Sequence, residues 1–337
     1  MIFFLKKSNR FFRCLFWIGI LFILLFLLFF VWRLYTPNTR TPVRFVATYS
    51  TTYANYLGLD VLKTYEDIIG QLGVKYIRLP VYWTEIAPQK DLFDWTQLDH
   101  VMRVSEEQGV KLTLVIGRKV PRWPECYVPD WVQKLSVSEQ RTETLLMMQA
   151  VVNRYKNSSA LDRWQVENEP FFSFGVCQKF SKQELTDEIN LVRRLDARPI
   201  QLTASGEMEL WKTVAKQADI LGISLYRKTW NRVFGYFTYP FPPEFYSLRA
   251  KLLEKLGKPI IVSELQAEPW FSESFKNKPH VYWYQTFTAE DFEEQIAFVK
   301  QTKLSEAYFW GVEWWAYMHE QNDDRLWNVA KEVFSKQ

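Results

Sequence analysis

The residues best suited to chemistry are two glutamates placed where apolar runs end: Glu169 in Asn168-Glu169-Pro170 and Glu264 in Ser263-Glu264. Leu161, Trp164 and Val166 make Ala160 to Val166 a predicted buried strand, and Pro170 stops its pairing shortly beyond. Pro259 to Ser263 (PIIVS) reads as a second buried strand. A carboxyl group at a strand end loses part of its hydration, which raises its proton affinity towards what a general acid needs near neutral pH. Paired with a second, ionised carboxylate, such an acid can break a glycosidic bond: one group protonates the departing oxygen while the other attacks or positions water.

Bringing the two face to face requires strands that end on one side of the molecule. From Val43 onward strand and helix patterns alternate eight times. The predicted strands are Val43–Tyr49, Lys75–Val81, Lys111–Ile116, Ala160–Val166, Pro199–Ala204, Ile220–Tyr226, Pro259–Ser263 and Ala307–Gly311. Helices follow at Leu59–Leu72, from a cap at Asp94-Trp95-Thr96 to Gln108, and at Ser136–Tyr155, Ser181–Leu195, Glu207–Ala218, Pro242–Leu256, Ala289–Lys300 and Asp323–Phe334. Ser181 followed by Glu184 has the spacing of a capping box. Strands this apolar are covered on both faces, so the expected fold is an α/β (β/α)8 TIM barrel over residues 43–337. A doubly wound sheet would carry a glycine-rich phosphate turn after its first strand, and Ser50-Thr51-Thr52-Tyr53 has no glycine.

In such a barrel the functional residues stand just past the strands. Collected in this way, the candidate catalytic residues are Glu169 and Glu264, and the candidate substrate-binding residues are Arg78, Asn168, Tyr226 and Trp310. Arg78 and Tyr226 are placed to hold Glu264, Asn168 to bond a sugar hydroxyl, and Trp310 to offer a flat face to a pyranose ring. Glu85, Glu167, Glu207, Glu268 and Glu313 also lie near strand ends. Alternation turns Glu167 away from Asn168, and Glu268 and Glu313 lie farther past their strands, so these rank lower. His100, His280 and His319 are scattered and form no ligand pair; neither a metal nor another cofactor is expected.

Composition narrows the partners. The formal net charge of +4 is accounted for by Lys6, Lys7, Arg10 and Arg13, leaving 38 basic against 38 acidic residues. No basic face for nucleic acid follows from that balance. Fifteen Trp, 17 Tyr and 26 Phe suit sugar faces as well as a core. Residues 14–32 (CLFWIGILFILLFLLFFVW) carry no charge over a length near the roughly 20 that cross a bilayer, and lack a small-residue cleavage site. The expectation is an uncleaved signal-anchor in contact with the lipid bilayer, with a cytoplasmic basic tail over 1–13, a tether over 33–42 and the barrel outside the cytoplasm. Cys126 and Cys177 follow neighbouring strands, and both a disulfide and two free thiols fit that placement.

Tyr76-Ile77-Arg78-Leu79-Pro80, Tyr82-Trp83-Thr84-Glu85-Ile86, Asn168-Glu169-Pro170, Tyr226, Ser263-Glu264 and Trp310 together resemble glycoside hydrolase clan A, nearest to family 5 cellulase-like and family 42-like barrels. The resemblance runs from about Val43 to the end of the chain. It implies a retaining glycosidase acting on an oligo- or polysaccharide, with Glu169 as acid/base, Glu264 as nucleophile, and carboxyl groups about 5 to 5.5 Å apart. Histidines usual near family 5 sites are absent from the loops after strands three and six, where Arg118 and Arg122 are the polar candidates after strand three. A catalytically silent carbohydrate-binding barrel and a transglycosylase are the other functions compatible with these residues.

Overall fold

The structure, a computed structural model, describes residues 2–35 and 42–337, so the tether expected over 33–42 lies largely outside it. Two bodies are distinct, Met1–Arg40 and Thr41–Gln337. The first is α1 (Ile2–Tyr35), a single helix of 34 residues that continues into the segment expected to be a basic tail. Its stretch Phe12–Phe29 is apolar enough to cross a membrane and is not buried against protein. Those 18 residues rise about 27 Å, close to the hydrocarbon thickness of a bilayer.

Among its described residues the second body holds ten strands: β1 (Arg44–Thr48), β2 (Tyr76–Pro80), β3 (Lys111–Ile116), β4 (Leu161–Val166), β5 (Ile200–Ala204), β6 (Ile220–Leu225), β7 (Lys228–Asn231), β8 (Gly235–Thr238), β9 (Ile260–Gln266) and β10 (Glu306–Trp310). Eight of them close into a parallel barrel in the order β1-β10-β9-β6-β5-β4-β3-β2, as expected for a TIM barrel; β7 and β8 form a separate antiparallel hairpin. Alternation explains the packing. Phe45, Ala47, Leu79, Leu112, Leu114, Trp164, Leu202 and Phe309 join the main apolar core with the helices. The alternate residues fill the lumen with a polar chain: Tyr308 to Gln201 (3.3 Å), Gln201 to Gln165 (3.0 Å) and Arg78 to Gln165 (2.8 Å). Buried polar groups satisfied by one another in this way specify which strands lie opposite.

Three helices begin with reciprocal capping boxes, Ser136/Glu139, Ser181/Glu184 and Thr288/Asp291. Other elements depart from the sequence pattern. The turn read at Ser50–Tyr53 opens a short helix, Thr51–Leu57, because the Ser50 hydroxyl caps the Tyr53 amide and Gly58 ends it at φ 85°. The helix expected over Glu207–Ala218 is only Trp211–Ala215. Glu209 instead accepts from the Ser205 amide, the Trp211 indole donates to the Ser205 carbonyl, and Arg249 holds the carbonyls of Gly206 and Glu209. A further helix, Val312–Glu320, precedes the last one.

β9 is longer than its apolar run and irregular. It carries one extra residue relative to both neighbours, since Ile223 and Ser224 pair with Val262 and Glu264, while Ala307 and Phe309 pair with Val262 and Leu265. A bulge of this kind re-aims the side chains beside it. Gly222 makes room for it, because a Cβ there would meet the Ser263 side chain at 2.5 Å. Glu264 therefore belongs to the strand itself rather than to the loop after it.

Candidate active site

The strand ends surround a cavity of about 790 Å³ whose lining includes Glu169, Glu264, Tyr226, Trp310, Arg122 and Glu125. Glu169 arrives there through an unusual turn. Glu167 and Glu169 both have left-handed backbones, φ 58° and 43°, a conformation costing on the order of 1 kcal/mol or more for a residue with a side chain. The turn is pinned from both sides. The Glu167 carboxylate accepts from the amides of Arg118 (3.0 Å) and Lys119 (2.6 Å), the Asn168 backbone amide donates to the Lys119 carbonyl (2.6 Å), and the Glu169 backbone amide donates to the Thr203 hydroxyl (2.7 Å). Glu167 is thus a structural acid facing the β3 loop.

The Glu169 carboxyl is buried and accepts from Ser224 (2.8 Å). Its pKa is pushed well above the ordinary glutamate range, first by burial, then by the negative charges of Glu264 and Glu125. Glu264 sits among donors: the Arg78 guanidinium reaches one oxygen at 3.1 Å and the Tyr226 hydroxyl the other at 3.1 Å. Arg78 is fully buried, and its remaining bonds go to Gln165 (2.8 Å), the Ser263 carbonyl (3.1 Å) and Asn168 (2.7 Å). One guanidinium therefore ties β2 to β4 and β9.

Arg78 and Asn168, expected to touch a ligand, are not among the cavity-lining residues. Arg78 orients Glu264 instead. The Asn168 carbonyl oxygen accepts from Arg78, Gln165 and Thr203, leaving its amide nitrogen buried with no partner among the described residues. Tyr226 and Trp310 do line the cavity. Trp310 is not a free platform: the Arg122 guanidinium lies 4.3 Å from its ring centre on one side and 3.9 Å from that of Tyr53 on the other.

Arg122 also pairs with Glu268 and Glu313. Of the acids ranked lower, Glu268 and Glu207 line the cavity, both pushed up to about 7 chiefly by burial. Glu313 accepts from the Ser50 amide, and Glu85 from Thr51 and Thr52, away from the carboxylate pair. Sequence reasoning passed over Glu125, Lys119, Ser224 and Thr203. Ser224 and Thr203 lie inside strands, where alternation with buried Ile223 and Leu202 is the signal that turns them inward. Cys126 and Cys177 form a disulfide joining the loops after β3 and β4. Among the described residues no three His, Cys, Asp or Glu side chains are grouped as metal ligands.

A closed parallel barrel with buried glutamates ending β4 and lying in the β9 bulge resembles the glycoside hydrolases of clan A. Residues 60–185 match the glycoside hydrolase family 42 model, described as beta-galactosidase. Beta-galactosidase BgaA of Clostridium cellulovorans is 20% identical over 246 residues, covering 67% of this chain and 36% of that protein. Beta-galactosidase BgaB of Geobacillus sp. is 27% identical over 127 residues, 31% of this chain and 19% of that one. The chain thus spans about a third or less of the curated relatives it matches. Among solved structures, the beta-galactosidase of the psychrophilic Marinomonas ef1 aligns with TM-score 0.57 at 13% identity, covering 87% of this chain and 59% of that one. Xylanase 10B of Thermotoga petrophila RKU-1, solved with xylobiose, aligns with TM-score 0.56 at 13% identity over 87% and 94% of the two chains.

Proposed function

We propose that this chain is a membrane-anchored, retaining glycoside hydrolase that cleaves β-glycosidic bonds with Glu169 and Glu264. The observation that carries the proposal is the unlike setting of two carboxyl groups in one cavity: burial and neighbouring negative charge raise the proton affinity of Glu169, whereas Glu264 accepts hydrogen bonds from Arg78 and Tyr226. The Glu264 carboxylate attacks the anomeric carbon while Glu169 gives its proton to the glycosidic oxygen, so the leaving sugar departs as an alcohol. Glu169, now a carboxylate, takes a proton from water; the resulting hydroxide attacks the same carbon and frees Glu264.

The apolar helix supports anchoring through residues 14–32, and the basic residues before it favour an N-terminus in the cytoplasm. The Cys126–Cys177 disulfide agrees with a barrel outside the cytoplasm, where thiols oxidise. The test is labelling of the full chain with 2-fluoro glycosides of galactose, glucose, xylose and N-acetylglucosamine, followed by peptide mass mapping. The expected adduct is on Glu264, absent in Glu264→Gln. An adduct on another acid, or inversion of the anomeric centre in a turned-over substrate, overturns the assignment. Glycan binding without adduct or turnover identifies a silent barrel.

A further inference from the structure

Glu125 is a third carboxyl group in the cavity, and the residues around it are built to hold it there. It is 95% buried yet lines the cavity. Among the described residues its Oε2 is buried with no hydrogen bond within ordinary distance, and its ion-pair partner is Lys119 Nζ at 3.6 Å. Lys119 is committed elsewhere, donating to the carbonyls of Glu169 (2.9 Å) and Phe172 (3.0 Å). A buried carboxyl held by one long ion pair, with an oxygen that makes no hydrogen bond, costs a protein stability.

The backbone is arranged to accept that cost. Glu125 itself is left-handed at φ 61°, its amide donates to the Arg122 carbonyl (2.7 Å), and the next residue, Cys126, is bridged to Cys177. Gly175, at φ 80°, lies so close that a Cβ there would stand 2.7 Å from the Pro124 carbonyl oxygen and 2.9 Å from Glu125 Cβ. A solvated loop acid has no need of this clamp. The groups with charge facing it are Glu264, Lys119 and Arg78, with Glu169 beside them.

We propose that Glu125 is a substrate-binding residue, its carboxyl hydrogen-bonding a hydroxyl of the sugar held between Glu169 and Glu264. Burial, followed by the charge of Glu264, pushes its pKa up to about 8, so at neutral pH the group can both donate to and accept from a hydroxyl. The inference deepens the hydrolase reading and rests on the cavity that reading uses. Glu125 does not enter the bond-breaking steps.

The test compares wild type, Glu125→Gln and Glu125→Leu, as full chains in detergent, on an aryl glycoside turned over by the wild type and on its monodeoxy and 2-amino-2-deoxy analogues. Glu125→Gln, which keeps a donor and an acceptor, should stay within about fivefold of wild-type kcat/KM, whereas Glu125→Leu should lose about 10- to 100-fold, mostly in KM. One deoxy analogue should cost the wild type a similar factor and cost Glu125→Leu nothing further. Losses that multiply for every analogue, or an unchanged KM in Glu125→Leu with its melting temperature and disulfide intact, overturn the assignment. Selective loss of the amino sugar alone also overturns it, in favour of an ammonium site. Should the wild type turn over no glycoside, the hydrolase reading fails, and the same analogues compared by calorimetric binding decide the role of Glu125 separately.

Discussion

Replacing Arg78 by methionine should be among the most destabilising single changes in the barrel. The side chain is fully buried and makes four hydrogen bonds, to Gln165, Asn168, the Ser263 carbonyl and Glu264. Removing one member of a buried ion pair costs about 3–5 kcal/mol, because the other charge stays buried. The orphaned acceptors add a smaller amount, each on the order of 1 kcal/mol and not fully additive. A loss of about 4 kcal/mol in a domain of this size lowers the melting temperature by roughly 6 °C. Adding Glu264→Gln removes the stranded charge, so the double variant should recover about 2 kcal/mol despite carrying a second substitution. Thermal melting of the full chain in detergent, followed by tryptophan fluorescence and near-ultraviolet circular dichroism, measures both steps. A single variant melting within 2 °C of wild type, or a double variant no more stable than Arg78→Met, would refute the account of Arg78 as partner to a buried carboxylate.

Glu169→Gln should lower kcat about 100- to 10,000-fold on glycosides with poor leaving groups and much less on dinitrophenyl glycosides, which need no proton; azide should restore turnover and yield a glycosyl azide of retained configuration. Folding should favour acid over alkaline conditions near the site. Glu167, Glu268 and Glu125 have folded-state values raised to about 7, 7 and 8, so their contribution is complete below the unfolded value near 4.5 and is lost as pH rises through 7–8. Melting temperatures at pH 5 and pH 8.5 should differ in that direction, and the difference should shrink in Glu125→Gln. Reducing the Cys126–Cys177 bridge opens a closed loop spanning 51 positions, for which chain entropy gives about 4 kcal/mol. Urea melts with and without reductant should show a loss of that order, and kcat/KM should fall with it because both bridged loops carry cavity residues.

The barrel was legible because its signal is repeated: eight apolar runs, each near the length of a buried strand, with Gly73, Gly109 and Gly257 ending the helical segments between them. Ser181 and Glu184 announced their capping box in the sequence because that motif is local. Glu169 and Glu264 stood out for a similar reason, each terminating an apolar run. Long-range facts were not readable. The left-handed backbone of Glu169 depends on Lys119 and Thr203, from other strands or loops, and neither contact has a sequence spacing to betray it. Trp310 could be placed at a strand end, but the guanidinium covering it comes from Arg122, 188 positions earlier in the chain. Glu125 lay hidden in a loop with no periodicity. Only its neighbour Cys126 marked the place, and the pairing of Cys126 was open from sequence.

The extra residue in β9 gives this barrel a vulnerability of parity. Along a strand each step reverses the side to which a side chain points, and in β9 the count from Val262 to Leu265 exceeds that of both neighbouring strands by one. Deleting any residue in that interval would leave composition and hydrophobicity almost untouched and would make the ladder more regular. It would also remove the kink that aims Glu264 at the cavity. Errors of identity in this wall are graded, as the substitutions above illustrate, whereas an error of count is all or none. Length variation among barrels of this architecture should therefore be confined to the loops and absent from the four residues Val262 to Leu265.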